Sequence, residues 1–466
     1  MRRRIAIVSA VVSAVTGVSA VRAADLSVGA AAVDITPPKG WRMAGYFNER
    51  INTGTHDPLA ARAIVFAQGD VRTALVFCDL IGIPLRVSSD ARRLAGEKTG
   101  IPAANIVILA THTHTGPLFF GPLREHFHQT AIAKGGRDPR EPIDYSAALV
   151  DRIADVVARA QASARPAEID VGTAVQSPPV SFNRRYRMKD GSVRFNPGPQ
   201  NPGIVGPAGP IDPDVGVLLF RDAARKRPFA CLTVFALHLD TTGGTEYSAD
   251  YPFYLQQTLR AALGGEVLSL FGTGTCGDIN HINVNRKDQL TAKQIGTALG
   301  ETVLAMIPKR RPIPAGSLAS ARATVEAALH PYTPEQEAEA AKNIAQVGTG
   351  KVPFLKEAQA CRIMDLKARQ GPTVTLEVQA VRLSRDVAIV TLPSEIFVEL
   401  GLAIKAASPF KTTFVLELAN DSVGYIPTKK AFTEGSYEVV NSRVRSGTGE
   451  KLVDAALETL RKLADQ

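Results

Sequence analysis

Five short apolar runs in this chain each end in a group of polar residues. The runs are rich in β-branched residues and bounded by turn residues, a pattern typical of buried strands. They cover residues 105–110, 231–237, 267–271, 387–392 and 414–418. Ligands of open α/β sheets bind at the carboxyl ends of the strands. We therefore expect the five polar groups to gather on one side of the sheet.

Helical patterns lie between these runs, and the alternation predicts an α/β protein. Amphipathic patterns predict helices from Asp144 to Ala162, from Thr291 to Ile307 and from about Glu450 to Ala464. Thr333 and Pro334 are suited to begin a further, Glu-rich helix. The expected fold is a mixed β-sheet sandwich flanked by helices, which forms one large catalytic domain over residues 24–466.

The first 23 residues have the pattern of a secretory signal peptide. Arg2 to Arg4 are positive, Ile5 to Ala20 is mostly small and apolar, and Val21-Arg22-Ala23 offers a cleavage site. We therefore expect export to the periplasm or the medium, with cleavage near Ala23. An uncleaved N-terminal anchor is the alternative, although the run is marginal for a membrane span of about 20 residues.

Charge and cysteine content exclude two classes of function. The net charge is +9, and four of the positive charges fall in the signal segment. The remaining surplus is modest and no basic and aromatic stripe is present, so nucleic acid is not an expected partner. Four cysteines lack CxxC spacing, so we expect buried free thiols rather than a cysteine zinc site.

His112 and His114 follow the first of the five runs as an H-x-H pair. Residues two apart in extended backbone point the same way, so both imidazoles can face one site. Imidazole is the commonest zinc ligand, but the pair alone is equally compatible with a polar turn. His238 and Glu395 follow two other runs. One histidine of the pair, together with His238 and Glu395, supplies a set of two nitrogen ligands and one oxygen ligand. Such a set leaves one position open for water.

Several motifs then occur in an order that resembles a known family. They are GAAAVDITPP, ATHTHTGP, VFALHLD, LPSEIF and LANDSVGYIPTKKAF. In this order they are similar to the catalytic domain of the neutral, non-lysosomal ceramidases, and the resemblance spans about residues 27–440. It implies a hydrolase that binds Zn²⁺ and cleaves the amide bond of a lipid-like N-acyl substrate.

The resemblance also implies roles for individual residues. The family's zinc ligands correspond to His112, His238, Glu395 and Tyr425. A tyrosine ligand does not follow from spacing. The family's residues around the scissile amide correspond to His114, Arg184 and Tyr437. Such groups stabilise an oxyanion or protonate the leaving group.

One segment departs from the family pattern. The ceramidases carry Gly-Asp-Val-Ser-Pro-Asn where this chain has residues 277–282, and Asn280 replaces the serine that is important for activity. Asparagine has no nucleophilic hydroxyl, so a serine nucleophile is excluded at this position. We include Asn280 among the catalytic candidates and expect a diverged member with altered substrate specificity. His281 is an added imidazole, either a substrate contact or a turn residue.

The segment from Gly116 to Pro142 is rich in glycine and proline, as a long loop would be. It follows the H-x-H pair, so we expect it to form part of the substrate cleft. Phe119 and Phe120 would contact an apolar acyl group; the alternative is that these rings fill the core.

Two classes of function remain open from the sequence. The first is an exported hydrolase that cleaves an amide or ester with zinc-activated water. The second is a diverged binding protein that keeps the fold and metal but has lost turnover. A structural metal site would instead have a closed four-ligand shell. Peripheral contact with a membrane also remains open, because the expected substrate is lipid-like.

Overall fold

The structure is a computed structural model that describes residues 26–314, 316–369 and 371–466. The predicted signal peptide and its cleavage site lie outside these residues. No helix in the described ranges combines the length and the apolar character that a membrane crossing requires.

The strands are named in chain order. They are β1 (Ser27–Asp34), β2 (Arg42–Met43), β3 (Arg50–Ile51), β4 (Gly54–Thr55), β5 (Ala60–Gln68), β6 (Val71–Cys78), β7 (Ile106–Ala110), β8 (Arg165–Val175), β9 (Phe182–Asn183), β10 (Arg185–Met188), β11 (Val193–Phe195), β12 (Ile204–Pro207), β13 (Asp214–Asp222), β14 (Pro228–Phe235), β15 (Glu246–Tyr247), β16 (Leu268–Thr273), β17 (Ile279–Asn280), β18 (Arg311–Pro312), β19 (Ala319–Ala328), β20 (Thr373–Arg382), β21 (Val387–Thr391), β22 (Glu395–Ile396), β23 (Thr412–Leu416) and β24 (Tyr425–Ile426).

The α-helices are named in the same way. They are α1 (Leu85–Thr99), α2 (Gly121–Gly135), α3 (Tyr145–Ala162), α4 (Tyr251–Leu263), α5 (Ala292–Met306), α6 (Pro334–Ile344), α7 (Phe354–Arg369), α8 (Val398–Ala407), α9 (Lys429–Glu434), α10 (Tyr437–Asn441) and α11 (Thr448–Ala464).

Two sheets form the centre of the molecule. The larger is nine-stranded, with the order β16-β14-β13-β8-β1-β5-β6-β7 and β18 paired to β8. The smaller has the order β19-β20-β21-β23. Both are mixed: β6–β7, β14–β16 and β21–β23 are parallel, and the other pairs in the two sheets are antiparallel. This architecture confirms the expected mixed β-sheet sandwich.

Apolar side chains between the two sheets form one core. Phe77 and Leu232 from the larger sheet share this core with Ile389 and Phe414 from the smaller sheet. Helices cover the outer faces: α1 and α3 pack on one part of the larger sheet, α4 and α5 on another, and α11 on the smaller sheet. Both faces of the central strands are buried, and for this reason the sequences of these strands are continuous apolar runs.

The predicted helices are present, and their capping chemistry explains where they begin. Asp144 accepts a hydrogen bond from the backbone N–H of Ala147 at the start of α3. Thr291 and Thr333 each form a capping box with a glutamine three residues later. Such reciprocal bonds satisfy backbone donors that a helix leaves free at its first turn.

Two expectations about this fold need correction. The five polar-ended strands are β7, β14, β16, β21 and β23, and they belong to two facing sheets rather than to one. The expected loop after the H-x-H pair is mostly helical, because it contains α2. This helix has no apolar stripe at helical spacing, so its sequence gives no periodic signal.

Candidate active site

His112 and His114 leave β7 through a sharply bent backbone. His112 has a φ of 77°, in the left-handed region that non-glycine residues rarely adopt. Its backbone N–H donates to the carbonyl of Leu80, and its Nδ1 lies 2.7 Å from the carbonyl oxygen of Ile81. Residues held in such conformations concentrate at functional sites. Here the bend directs Nε2 of His112 toward the ends of the neighbouring strands.

Three ligand atoms from three different strand ends converge. Nε2 of His112 and Nε2 of His238 each lie 3.3 Å from Oε2 of Glu395. Zinc–ligand distances of about 2.0–2.1 Å place the ligand atoms of a tetrahedral site about 3.3–3.4 Å apart. The observed separations therefore match those of ligands to one zinc ion.

Hydrogen bonding fixes the protonation of the two imidazoles. Nδ1 of His238 lies 2.9 Å from the carbonyl oxygen of Cys276, and Nδ1 of His112 also faces a carbonyl oxygen. A carbonyl only accepts, so each Nδ1 carries the proton and each neutral ring has its lone pair on Nε2. Second-shell carbonyls fix histidine ligands of metals in this manner.

Glu395 completes a set of acceptors that could hold a cation. Its buried Oε2 has no hydrogen-bond donor in the described part of the chain, although both Nε2 atoms are near. Three lone-pair-bearing atoms thus point at one another. The donor set, two imidazoles and a carboxylate, suits zinc.

Tyr425 lies beside Glu395 because their strands pair in register. Glu395 and Tyr425 are partners in the parallel pair β22–β24. Ser394, immediately before Glu395, has a φ of 69°, another left-handed conformation next to the site. Tyr425 is buried, and burial raises the pKa of its hydroxyl well above the usual value. The structure thus brings together the four residues predicted as ligands.

A third imidazole, that of His114, adjoins the ligand set. Nε2 of His114 lies 3.4 Å from Nε2 of His112, and the three histidines form a group that could hold a metal ion. Gly45 makes room for it: with a φ of 107°, its missing Cβ would lie 2.6 Å from Cβ of His114. Burial, followed by His112, lowers the pKa of His114 to about 3.

Arg184 and Tyr437 form the opposite side of the site. Nη1 of Arg184 lies 3.1 Å from Nε2 of His238, and its guanidinium donates to the carbonyl of Gly277 at 2.7 Å. Glu438 holds it through an ion pair of 2.9 Å, and both side chains are buried. The ring of Tyr437 lies 5.4 Å from that of Tyr425, and burial raises its pKa to about 12.

A cleft of about 910 Å³ opens over these residues. His112, His114, Arg184 and Tyr437 line its base. Helix α7 and the segment before it form one wall of the cleft. The sequence did not predict that this part of the chain lines the site. The apolar part of the lining includes Phe47, Phe120, Leu123, Phe195, Val352 and Phe354.

The two candidate phenylalanines have different positions. Phe120 lines the cleft, as expected. Phe119 is only 6% exposed and packs in the core, with its ring 5.4 Å from that of Tyr145. The expectation that Phe119 contacts substrate is therefore wrong, because its side chain faces the interior of the protein.

Asn280 and His281 lie behind the cleft surface. Asn280 is fully buried; its amide donates to Oδ1 of Asn196 at 3.1 Å and accepts from the N–H of Ile282 at 3.0 Å. His281 lies 3.1 Å from Oδ1 of Asp240. Asn196 and Asp240 themselves line the cleft. Both candidates therefore support cleft residues.

Several supporting residues have no motif of their own. Glu438 binds both Arg184 and Arg185, and only its place one residue after Tyr437 could have suggested it. Glu417 is fully buried behind Glu395, where it accepts from the backbone N–H of Ile396 at 2.6 Å. Burial raises the pKa of Glu417 well above its usual value.

A second group of possible metal ligands lies away from the cleft, at His128, Asp138 and Glu141. Arg42 pairs with Asp138 at 2.6 Å, and Arg124 forms an ion pair with Glu141. These arginines already neutralise the carboxylates. We therefore interpret this group as a structural ion-pair network.

Comparison with known proteins agrees with this geometry. Residues 26–246 match the family described as neutral/alkaline non-lysosomal ceramidase, N-terminal. The N-terminal part of the chain is therefore similar to this ceramidase family. The chain is 31% identical over 174 residues to the neutral ceramidase of Mycobacterium tuberculosis. That alignment covers 34% of this chain and 26% of the relative, so the chain matches about a quarter of the relative's length.

Solved ceramidases share the fold. The neutral ceramidase from Pseudomonas aeruginosa superimposes with a TM-score of 0.71 at 20% identity, covering 95% of this chain and 75% of that one. A structure described as a ceramidase complexed with C2 gives a TM-score of 0.70 at 19% identity, covering 95% and 76%. At these identities the likeness establishes the fold alone.

Proposed function

We propose that this chain is a zinc-dependent hydrolase that cleaves the amide bond of a lipid-like N-acyl substrate. The observation that carries the proposal is the convergence of Nε2 of His112, Nε2 of His238 and Oε2 of Glu395. Tyr425 would complete the ligand set, as the family resemblance implies. We also propose that the protein works outside the cytoplasm, because its first 23 residues have the pattern of a signal peptide.

Zinc, when bound, would polarise a carbonyl and lower the pKa of water toward about 7. The chain's own residues supply the remaining groups. Arg184 is a buried cation beside His238, and the hydroxyl of Tyr437 is a second donor at the base of the cleft. Donors fixed in advance stabilise the negative charge that develops on a carbonyl oxygen in the transition state.

His114 is suited to proton transfer. Its Nδ1 is buried and has no partner in the described residues, and its side chain lines the cleft. Leu239 fixes it through its carbonyl, which accepts from the backbone N–H of His114. Because its low pKa leaves the ring neutral, His114 would first take a proton from the attacking water and then deliver it to the departing nitrogen as the carbon–nitrogen bond breaks.

The cleft supports an acyl substrate. Its apolar wall around Phe120 and Phe354 suits a hydrocarbon group, and the two solved ceramidases share this fold. Asn280 replaces the family's serine, so we expect weak or no turnover of long-chain ceramide. An ester is a second candidate bond, since the same donors stabilise the oxyanion of either acyl group.

The test combines metal content with turnover by the mature protein, residues 24–466. Hydrolysis of an N-acyl amide panel, lost with a chelator and restored by Zn²⁺, is the expected result. About one bound zinc with no turnover of any amide or ester would favour the binding protein that lacks catalysis. Full turnover in a metal-free preparation would overturn the proposed role of zinc.

A further inference from the structure

Two arginines share one carboxylate in the wall of the proposed substrate cleft. Nε of Arg369 and Nε of Arg443 both donate to Oδ2 of Asp365, at 3.1 Å and 2.9 Å. All three residues line the cleft. One carboxylate balances only one of the two guanidinium charges, so the trio has a surplus positive charge.

Each arginine keeps a donor directed away from its protein partners. Nη2 of Arg369 donates to the carbonyl of Ser422 at 2.7 Å. Nη1 of Arg443 donates to the carbonyl and the side-chain oxygen of Asn441. In the described part of the chain, the remaining Nη of each arginine has no hydrogen-bond acceptor. These side chains are 24% and 12% exposed, and both line the cleft.

Arg443 lies next to the proposed reaction centre. Gly424 has a φ of 72°, and a Cβ there would lie 2.6 Å from Nη1 of Arg443. The glycine thus makes room for the guanidinium directly before Tyr425. On the other side, Nδ2 of Asn441 donates to the hydroxyl of Tyr437 at 3.2 Å. Arg443 therefore contacts Gly424, the neighbour of Tyr425 in the chain, and Asn441, which contacts Tyr437.

Other acidic groups nearby have partners of their own. Oε1 of Glu357 accepts from the backbone N–H of Gly348 at 2.7 Å. Oδ1 of Asp421 accepts from the N–H groups of Leu85 and Ser422. Burial raises the pKa of Asp421, and the nearby charge of Arg369 lowers it in part. The arginines thus keep donors for an external acceptor.

We propose that the substrate is an N-acyl amino acid, whose carboxylate Arg369 and Arg443 bind; this inference rests on the proposed hydrolase function. Arginine binds carboxylates through parallel, charge-assisted hydrogen bonds. One carbon separates the carboxylate of such a substrate from the amide nitrogen, which suits a cation close to Tyr425 and Tyr437. Hydrolysis adds water across the carbon–nitrogen bond and yields a fatty acid and an amino acid.

A matched pair of ligands tests this inference without turnover. N-octanoyl-alanine and N-octanoyl-2-aminopropan-1-ol share the acyl chain and differ in a carboxylate or a hydroxymethyl group. We expect the zinc-loaded protein to bind the carboxylate about 10- to 100-fold more tightly by calorimetry, the range for hydrogen bonds to charged groups. Equal affinities, or a preference for the alcohol, would overturn the inference.

Variants locate the preference. Arg369→Met should reduce it by about tenfold or more, and Arg369→Lys should restore part of it. The control is Lys367→Met on the same helix, where Lys367 pairs with Glu337 away from the cleft. A preference unchanged in Arg369→Met would show that the carboxylate binds the metal instead. A tighter affinity for octanedioic acid monoamide than for N-octanoyl-alanine would place the carboxylate on the acyl side, and also contradict the inference.

Turnover separates this inference from the function on which it rests. If the binding preference depends on Arg369 but neither ligand is hydrolysed, the hydrolase proposal fails and the carboxylate site stands. If both ligands are hydrolysed with equal kcat/KM and equal affinity, the hydrolase stands and the carboxylate site fails.

Discussion

Glu395 and Tyr425 face each other as register partners in the parallel pair β22–β24. This pairing places a carboxylate and a phenol hydroxyl side by side at the base of the cleft. Tyr425→Phe removes the hydroxyl and leaves the ring packing unchanged. We expect zinc affinity to fall by at least the 10- to 100-fold typical of losing an outer-shell partner. Competition with a chromogenic chelator measures it, and an unchanged affinity would exclude Tyr425 as a ligand.

His238→Ala should abolish both bound zinc and hydrolysis, because it removes one of three converging ligand atoms. We expect the same of His112→Ala. Inductively coupled plasma mass spectrometry of the purified variants measures the metal. The matched control is His126→Ala on α2, which should retain zinc. Full metal content in both ligand variants would show the assignment to be wrong.

Asn280→Ser restores the hydroxyl found in the ceramidases. In this chain the Asn280 amide contacts Asn196, which lines the cleft. We therefore expect the variant to alter kcat/KM ratios among N-acyl substrates without loss of zinc. The comparison is turnover of ceramide and of shorter N-acyl amides by both proteins. Robust ceramide hydrolysis by the wild type would contradict the expectation that Asn280 prevents ceramide turnover.

The predicted signal peptide gives a mature chain that begins near Ala24. Expression of the full sequence should yield periplasmic or secreted protein that lacks Met1 to Ala23. Mass spectrometry of the intact exported protein measures the cleavage. Exported protein that retains Met1 would refute it.

Asp170 joins distant segments of the larger sheet, and its loss should reduce stability. Its side chain accepts hydrogen bonds of 2.7 Å from both Arg221 and Arg310. Burial raises the pKa of Asp170, but the two arginines lower it to a net value below the usual one. We expect Asp170→Asn to cost about 2 kcal/mol at pH 7, in the range for hydrogen bonds to charged groups, because both arginines are partly exposed.

The pH dependence of this cost has a defined sign. Because the folded pKa of Asp170 lies below the unfolded value of about 3.9, its contribution is present above that pH and lost as pH falls through the folded pKa. Urea unfolding at pH 7, 5 and 3 should show the difference between wild type and Asp170→Asn shrinking at the lowest pH. Asp151→Asn, at an exposed position of α3, is the control. A difference that grows on acidification would contradict the assignment.

Local patterns predicted the parts of this protein that local physics determines. The strand before His112 and the helix capped by Thr333 were predictable, because continuous apolar runs and capping residues act over a few residues. Helix α2 was missed because both its faces are partly exposed. The pairing of Arg369 with Arg443 through Asp365 was also beyond the sequence. Asp365 and Arg369 are one turn apart on α7, but Arg443 lies far from them in the chain, and the packing of α7 against α10 brings it to them.

Two of the four proposed ligands come from each sheet. His112 and His238 follow strands of the nine-stranded sheet, whereas Glu395 and Tyr425 follow strands of the four-stranded sheet. A bound ion would thus cross-link the two sheets. Neither layer alone could retain it, so capture of the ion would have to follow docking of the layers during folding. Separation of the layers would release it, and binding would stabilise the docked state by mass action.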